Sequence, residues 1–124
     1  MKRQYLIFVP DKNLNETNTE YADIINWGFE HIGHSNVFAL NEEEAYILQN
    51  ETPILDYIND NNESMIQVGE DSWIDSIEVK NIVYNEVKDY YSKLKDGQIK
   101  DMVSKILSIL NISIQTGRNM YFFW

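Results

Sequence analysis

Two short constellations in this chain could carry chemistry. Glu30-His31-Ile32-Gly33-His34 holds both histidines, and two histidines three apart on a helix can share a metal ion. Here Gly33 lies between them at an expected helix end, and no third ligand is fixed by spacing. The alternative is that the rings cap or pack against the helix terminus. Glu78-Val79-Lys80 matches the acid-x-Lys half of a restriction-type nuclease site, with Asp56, Asp60 or Asp71 as an upstream acid. In such a site the carboxylates hold Mg²⁺ and the lysine stands beside the attacking water. Against it, Asp75 and Glu78 are also explained as helix-capping groups, and the surrounding span offers phosphate no other cation. Asp60-Asn61-Asn62-Glu63 lacks the ligand spacing and central glycine of a calcium loop. The five glycines are isolated, so there is no phosphate-cradling loop, and no Gly-x-Ser-x-Gly elbow is present. The chain reads as a non-enzyme with no cofactor.

The stronger signal is a recognition signal. Asn13 to Val79 contains no Lys or Arg and fifteen acids, a formal charge of −15, whereas the rest of the chain carries +5. Such a field repels nucleic acid and anionic membrane and attracts a basic partner. Binding nucleic acid by stacking needs cations among the aromatics, yet Tyr46, Tyr57 and Trp73 sit among carboxylates. A solvated face that only maintains solubility is the competing explanation. A docking surface also needs an apolar anchor, because binding energy concentrates in a few buried aromatic or arginine side chains. Trp73, beside Glu70 and Asp71, is the candidate; its alternative role is an ordinary core tryptophan.

The 124 residues suffice for one domain, 1–124, with a core that needs no staples. An apolar fraction of 44% argues against disorder despite the charge. The absence of cysteine excludes disulfides, thiolate zinc sites and a cysteine nucleophile. No apolar run approaches a membrane span, and Leu6 to Pro10 is too short for a signal-peptide core, so a soluble cytoplasmic protein is expected.

The elements that must position these residues follow from periodicity. Tyr5 to Val9 is a continuous apolar run ended by Pro10-Asp11, which predicts a buried strand. Thr17 and Glu20 form a capping-box pattern before a helical stripe of Tyr21, Ile24, Ile25, Phe29 and Ile32. Asn36 to Leu40 predicts a second strand. Asn41 with Glu44 is another capping box, which puts Glu42, Glu43 and Glu44 in a first helical turn favoured by the helix dipole. Thr52-Pro53 opens a third helix with Asp56 and Asp60 outward. Met65 to Val68 predicts a third strand, and Glu70 to Trp73 a loop. Asp75 and Glu78 open a long helix with stripe Val79, Ile82, Val83, Val87, Tyr90 and Leu94. After Asp96-Gly97, the stripe Ile99, Met102, Val103, Ile106, Leu107 and Leu110 predicts a second long helix, antiparallel to the first. Ile112 to Gln115 and Met120 to Trp124, separated by turn residues, predict a C-terminal β-hairpin. The expected fold is α/β of the α+β kind: a mixed sheet of about five strands packed by four to five helices.

A small, cysteine-free, acidic chain with the clusters Glu42-Glu43-Glu44 and Glu70-Asp71 resembles the immunity proteins of bacterial contact-dependent growth inhibition and other polymorphic toxin systems. The resemblance lies in size and charge along the whole chain, with no family motif matched residue by residue. It implies an antitoxin that binds one cognate basic toxin domain, a nuclease first of all, and covers its cleft with carboxylates standing in for phosphates. The residues expected to make contact are Glu42, Glu43, Glu44, Asp56, Asp60, Glu70, Asp71, Trp73 and Asp75. Lys80, Lys88, Lys93, Lys95, Lys100 and Lys105 mark a second face outside that contact. The alternatives are a DNA-mimic or anti-restriction protein that blocks a DNA-binding enzyme, and a small Mg²⁺-dependent nuclease using Glu78 and Lys80.

Overall fold

The computed structural model describes residues 3–67 and 69–124. Its strands are β1 (Tyr5–Phe8), β2 (Val37–Leu40), β3 (Ser72–Ile74) and β4 (Met120–Phe123); its helices are α1 (Tyr21–Glu30), α2 (Glu42–Asn50), α3 (Ile54–Asn62), α4 (Ile77–Ser92) and α5 (Gln98–Thr116). The strands form one antiparallel sheet in the order β2-β1-β4-β3. Side chains alternate across a strand, and here both faces are covered. Tyr5, Ile7, Phe38, Leu40, Ile74, Met120 and Phe122 face the core shared with α2 to α5. Leu6, Phe8 and Tyr121 face α1, where they meet Ile24, Ile25 and Trp27. Double coverage explains why β1 is an unbroken apolar run buried at every position.

Helix α1 lies very close to the sheet. A Cβ placed on Gly28 would come within 3.0 to 3.1 Å of the Phe8 and Leu6 side chains, so the missing side chain sets the spacing of this layer. Helix α2 begins with the expected capping box: Asn41 Oδ1 accepts from the Glu44 N–H at 2.8 Å, and Glu44 Oε1 accepts from the Asn41 N–H at 3.0 Å. Helices α4 and α5 pack on each other across the short Lys93–Gly97 connection.

Several expectations need correction. The sheet has four strands, and the C-terminal hairpin is absent: Ile112 to Gln115 belongs to α5. The burial of Ile106, Ile109, Leu110 and Ser113 continues the helical stripe, and the helix ends on Gly117 at φ 72°. Alternation over four residues could not separate the two periods. The third strand is Ser72–Ile74, in the stretch expected to be a loop. Met65 to Gln67 lies outside the named strands, because Asn59 captures the backbone of Ile66 on both sides. Asn59 Oδ1 accepts its N–H at 2.7 Å and Asn59 Nδ2 donates to its carbonyl at 3.1 Å. Val68 lies outside the described residues. Thr17 caps nothing; Glu20 takes the N-cap position of α1 without a side-chain bond. Ser76 replaces Asp75 as the N-cap of α4, accepting from the Val79 N–H at 3.3 Å. Pro53 occupies the N-cap position of α3, and Thr52 Oγ1 donates to the Leu48 carbonyl at 2.6 Å. In the α4 stripe Ile82 is exposed and Lys80 is buried.

Candidate functional site

The fate of the charges decides where a site can be. Thirteen of the fifteen acids between Asn13 and Val79 are exposed; Glu16 and Glu44 are half-buried. Among the described residues, none of the fifteen lies within ion-pair distance of a Lys or Arg side chain. Six of the nine described Lys and Arg side chains make other contacts. Lys93 pairs with Asp89 at 2.9 Å and Lys100 with Asp96 at 3.3 Å. Lys100 also lies over Tyr91, and Lys105 over Phe38. Arg3 stacks on Tyr5 and Phe123 and donates to the Trp124 carbonyl. Arg118 donates to the Leu14 carbonyl at 2.8 Å. The negative charge is thus left open to solvent.

Sheet topology distributes the expected contact residues. Glu42, Glu43 and Glu44 follow β2, and Glu70 and Asp71 precede β3, so antiparallel pairing brings both clusters to one end of the sheet. They stand at opposite edges, three strand spacings or about 14 Å apart. Asp56 and Asp60 lie one turn apart on α3 and are exposed. The C-terminus of α3 is tied to β3 by Asn62 Nδ2, which donates to the Trp73 carbonyl at 3.0 Å. Asp75, after β3, belongs to the other end of the sheet.

Trp73 is 45% exposed. It lies on the α1 face of edge strand β3, paired in register with Tyr121. Its ring centroid is 5.8 Å from that of Tyr21 and 6.4 Å from that of Tyr121. The three rings, with Glu16, Thr19, Ile24 and Asn119, line a cleft of about 220 Å³. Asp71 braces this corner: it accepts from the Tyr21 hydroxyl, and its Oδ1 accepts from the Trp124 N–H at 2.9 Å. Burial and the neighbouring Asp71 carboxylate hold the Tyr21 phenol well above its ordinary range. Burial likewise raises Tyr121.

Lys80 was expected on an exposed basic face. It is 1% exposed, and its Nζ donates to the Arg118 carbonyl at 2.9 Å. Burial lowers its pKa, opposed by the Glu16 and Asp75 carboxylates. Burial also raises Glu16, opposed by its bonds from the Asn119 N–H and by Arg118 and Lys80. These groups lock the end of α5 to the loop before α1. Residues two apart on a helix do not face each other, so Lys80 points inward while Glu78 is exposed, and the pair does not form a nuclease half-site.

The histidines are committed to local structure. His31 Nδ1 lies 2.7 Å from the Trp27 carbonyl, which requires a proton on that nitrogen, and the ring stacks on Trp27 at 4.2 Å. His34 Nδ1 accepts from the Asn36 N–H at 3.0 Å, leaving Nε2 toward Asp11 at 3.9 Å. Among the described residues no group of three or more His, Asp or Glu is placed to hold a metal. No described helix is long and apolar enough to cross a membrane.

The arrangement is therefore an α+β fold, one antiparallel sheet between a single helix and a layer of four, that presents carboxylates on its helices and at its strand ends. The same fold is found in the solved structure of the Neisseria DNA mimic protein DMP12, with a TM-score of 0.75 over 98% of this chain and 100% of that chain, at 19% identity. No family model and no curated protein matches the chain.

Proposed function

We propose that this protein is a DNA mimic: it binds a basic DNA-binding protein and occupies the surface that would otherwise hold the phosphate backbone. The observation that carries the reading is the set of fifteen carboxylates, thirteen of them exposed, none of which forms an ion pair with a described Lys or Arg side chain. Uncompensated charge of one sign destabilises a compact chain by self-repulsion, so a surface built this way favours a partner that supplies the opposite sign. The acids sit largely on helices and at strand ends, which hold them more rigidly than loops would. The fold shared with a DNA mimic supports this alternative over the toxin inhibitor first expected. A cognate toxin nuclease remains within the same chemistry, as one kind of protein that grips nucleic acid. The protein acts by occlusion, without catalysis, through Glu42, Glu43, Glu44, Asp56, Asp60, Glu70, Asp71, Trp73 and Asp75, and it works in the cytoplasm, where such partners meet DNA.

The test is capture from a nuclease-treated lysate of the source cell. The wild-type protein should retain a DNA-binding protein. A variant with Glu42, Glu43, Asp56, Asp60, Glu70 and Asp75 changed to their amides should lose it. Neutralising Lys88, Lys95 and Lys105 instead should leave retention intact. Equal retention by wild type and the amide variant would refute the proposal.

A further inference from the structure

The cleft beneath Trp73 has walls and a charge that select more narrowly than a negative surface does. Two of its aromatic walls are accessible: Trp73 is 45% and Tyr21 36% exposed, with ring planes inclined at 42°. Tyr121 closes the floor. Glu16 lies in the lining, and Asp71 and Asp75, at the two ends of β3, bracket Trp73. The nearby cations do not fill it. Lys80 is buried against the Arg118 carbonyl, and the Arg118 guanidinium is bonded to the Leu14 carbonyl and lines a neighbouring cleft. Asp71 acts electrostatically on Tyr21, and Glu16 and Asp75 act on Tyr121, so the walls of the cleft stand in a negative field.

A flat cation suits such a place better than a compact one. Guanidinium is planar, weakly hydrated and stacks on indole and phenol faces while its edge donates to carboxylates. An ammonium is a strongly hydrated point charge that gains less from a narrow aromatic slot. We infer that the Trp73–Tyr21–Tyr121 cleft receives a single arginine side chain of the partner protein, stacked against Trp73 with its N–H groups toward the surrounding carboxylates. This rests on the docking reading above and adds to it the residue type that the partner inserts.

A probe that needs no partner tests it. Acetyl-Gly-Arg-Gly-amide, its lysine counterpart and its citrulline counterpart are titrated into the full chain at fixed ionic strength, and the three indole N–H resonances are followed. Trp27 is 7% exposed and Trp124 fully buried, with its Nε1 bonded to Gln49, so Trp73 reports separately. The arginine peptide should move the Trp73 resonance saturably. The lysine peptide should bind about fivefold more weakly or worse. The citrulline peptide, with the same shape and no charge, should give no saturable shift, and Trp73→Ala should abolish arginine binding. The inference is overturned by arginine and lysine peptides of equal strength, or by the absence of a saturable shift at Trp73. Because the citrulline comparison uses the wild-type chain, it decides the matter even if Trp73→Ala folds poorly. Peptide binding as described, with no DNA-binding protein captured from lysate, would support the cleft and remove the DNA-mimic reading. A failed peptide titration beside successful capture would remove the cleft alone.

Discussion

At the scale of single residues, Glu16 and Trp73 illustrate two different uses of position. Glu16 is half-buried and its carboxyl is pushed upward by desolvation. A group whose pKa is higher folded than unfolded contributes stability that is fully present below its unfolded value and is lost as pH rises through the folded one. Glu16→Gln keeps an oxygen for the Asn119 N–H and removes that pH-dependent loss. Thermal unfolding should show a higher Tm than the parent at about pH 7, with the gap closing toward about pH 4. Trp73, half-exposed at a sheet edge, should behave in the opposite way. Trp73→Ala should change stability by less than about 1 kcal/mol in a denaturant titration. It should nevertheless weaken partner binding by roughly thirtyfold or more, as loss of an interface anchor does. Of the cleft, only Trp73 was legible in the sequence as a contact residue. Tyr21 read as part of a helical stripe and Tyr121 as part of an apolar strand, and only the sheet register brings the three rings together. The burial of Lys80 was equally hidden, since the carbonyl that receives it belongs to Arg118, far along the chain.

At the scale of elements, close packing and capping make separable claims. Gly28→Ala would add up to about 1 kcal/mol of helix propensity. The added methyl would press on the Phe8 ring and the Leu6 side chain at 3.0 to 3.1 Å. Overpacking of this kind costs about 1–3 kcal/mol, so the variant should lose stability on balance, measured as a lower urea midpoint. Asn41→Ala removes the side-chain half of the α2 capping box and should cost about 1 kcal/mol in the same measurement. Elements whose signals agree were readable in advance. β1 combined an apolar run with a Pro-Asp stop, and α2 combined a capping box with an inward face. Where one local pattern fits two structures, packing decided. Ile112 to Gln115 alternates like a strand but continues the buried stripe of α5. Three residues, Ser72 to Ile74, are too few to announce a strand, and they form one only because β4 offers an edge.

At the scale of the whole molecule, the proposed binding depends on carboxylates that the chain leaves without ion pairs. Screening weakens repulsion between exposed carboxylates, with a Debye length of about 10 Å at 0.1 M salt. Raising NaCl from about 20 to about 300 mM should therefore raise the Tm, while the rate of association with a basic partner should fall. The −15 span was plain in the sequence; its lack of ion pairs with the described lysine and arginine side chains was not, because nothing local says where a cation will be spent. The most direct measurement places this protein, its purified DNA-binding partner and a labelled duplex in one mobility-shift titration. Mutual exclusion is expected: the duplex is released as this protein is added, and no species contains all three. A stable ternary complex, with DNA still bound beside this protein, would contradict it.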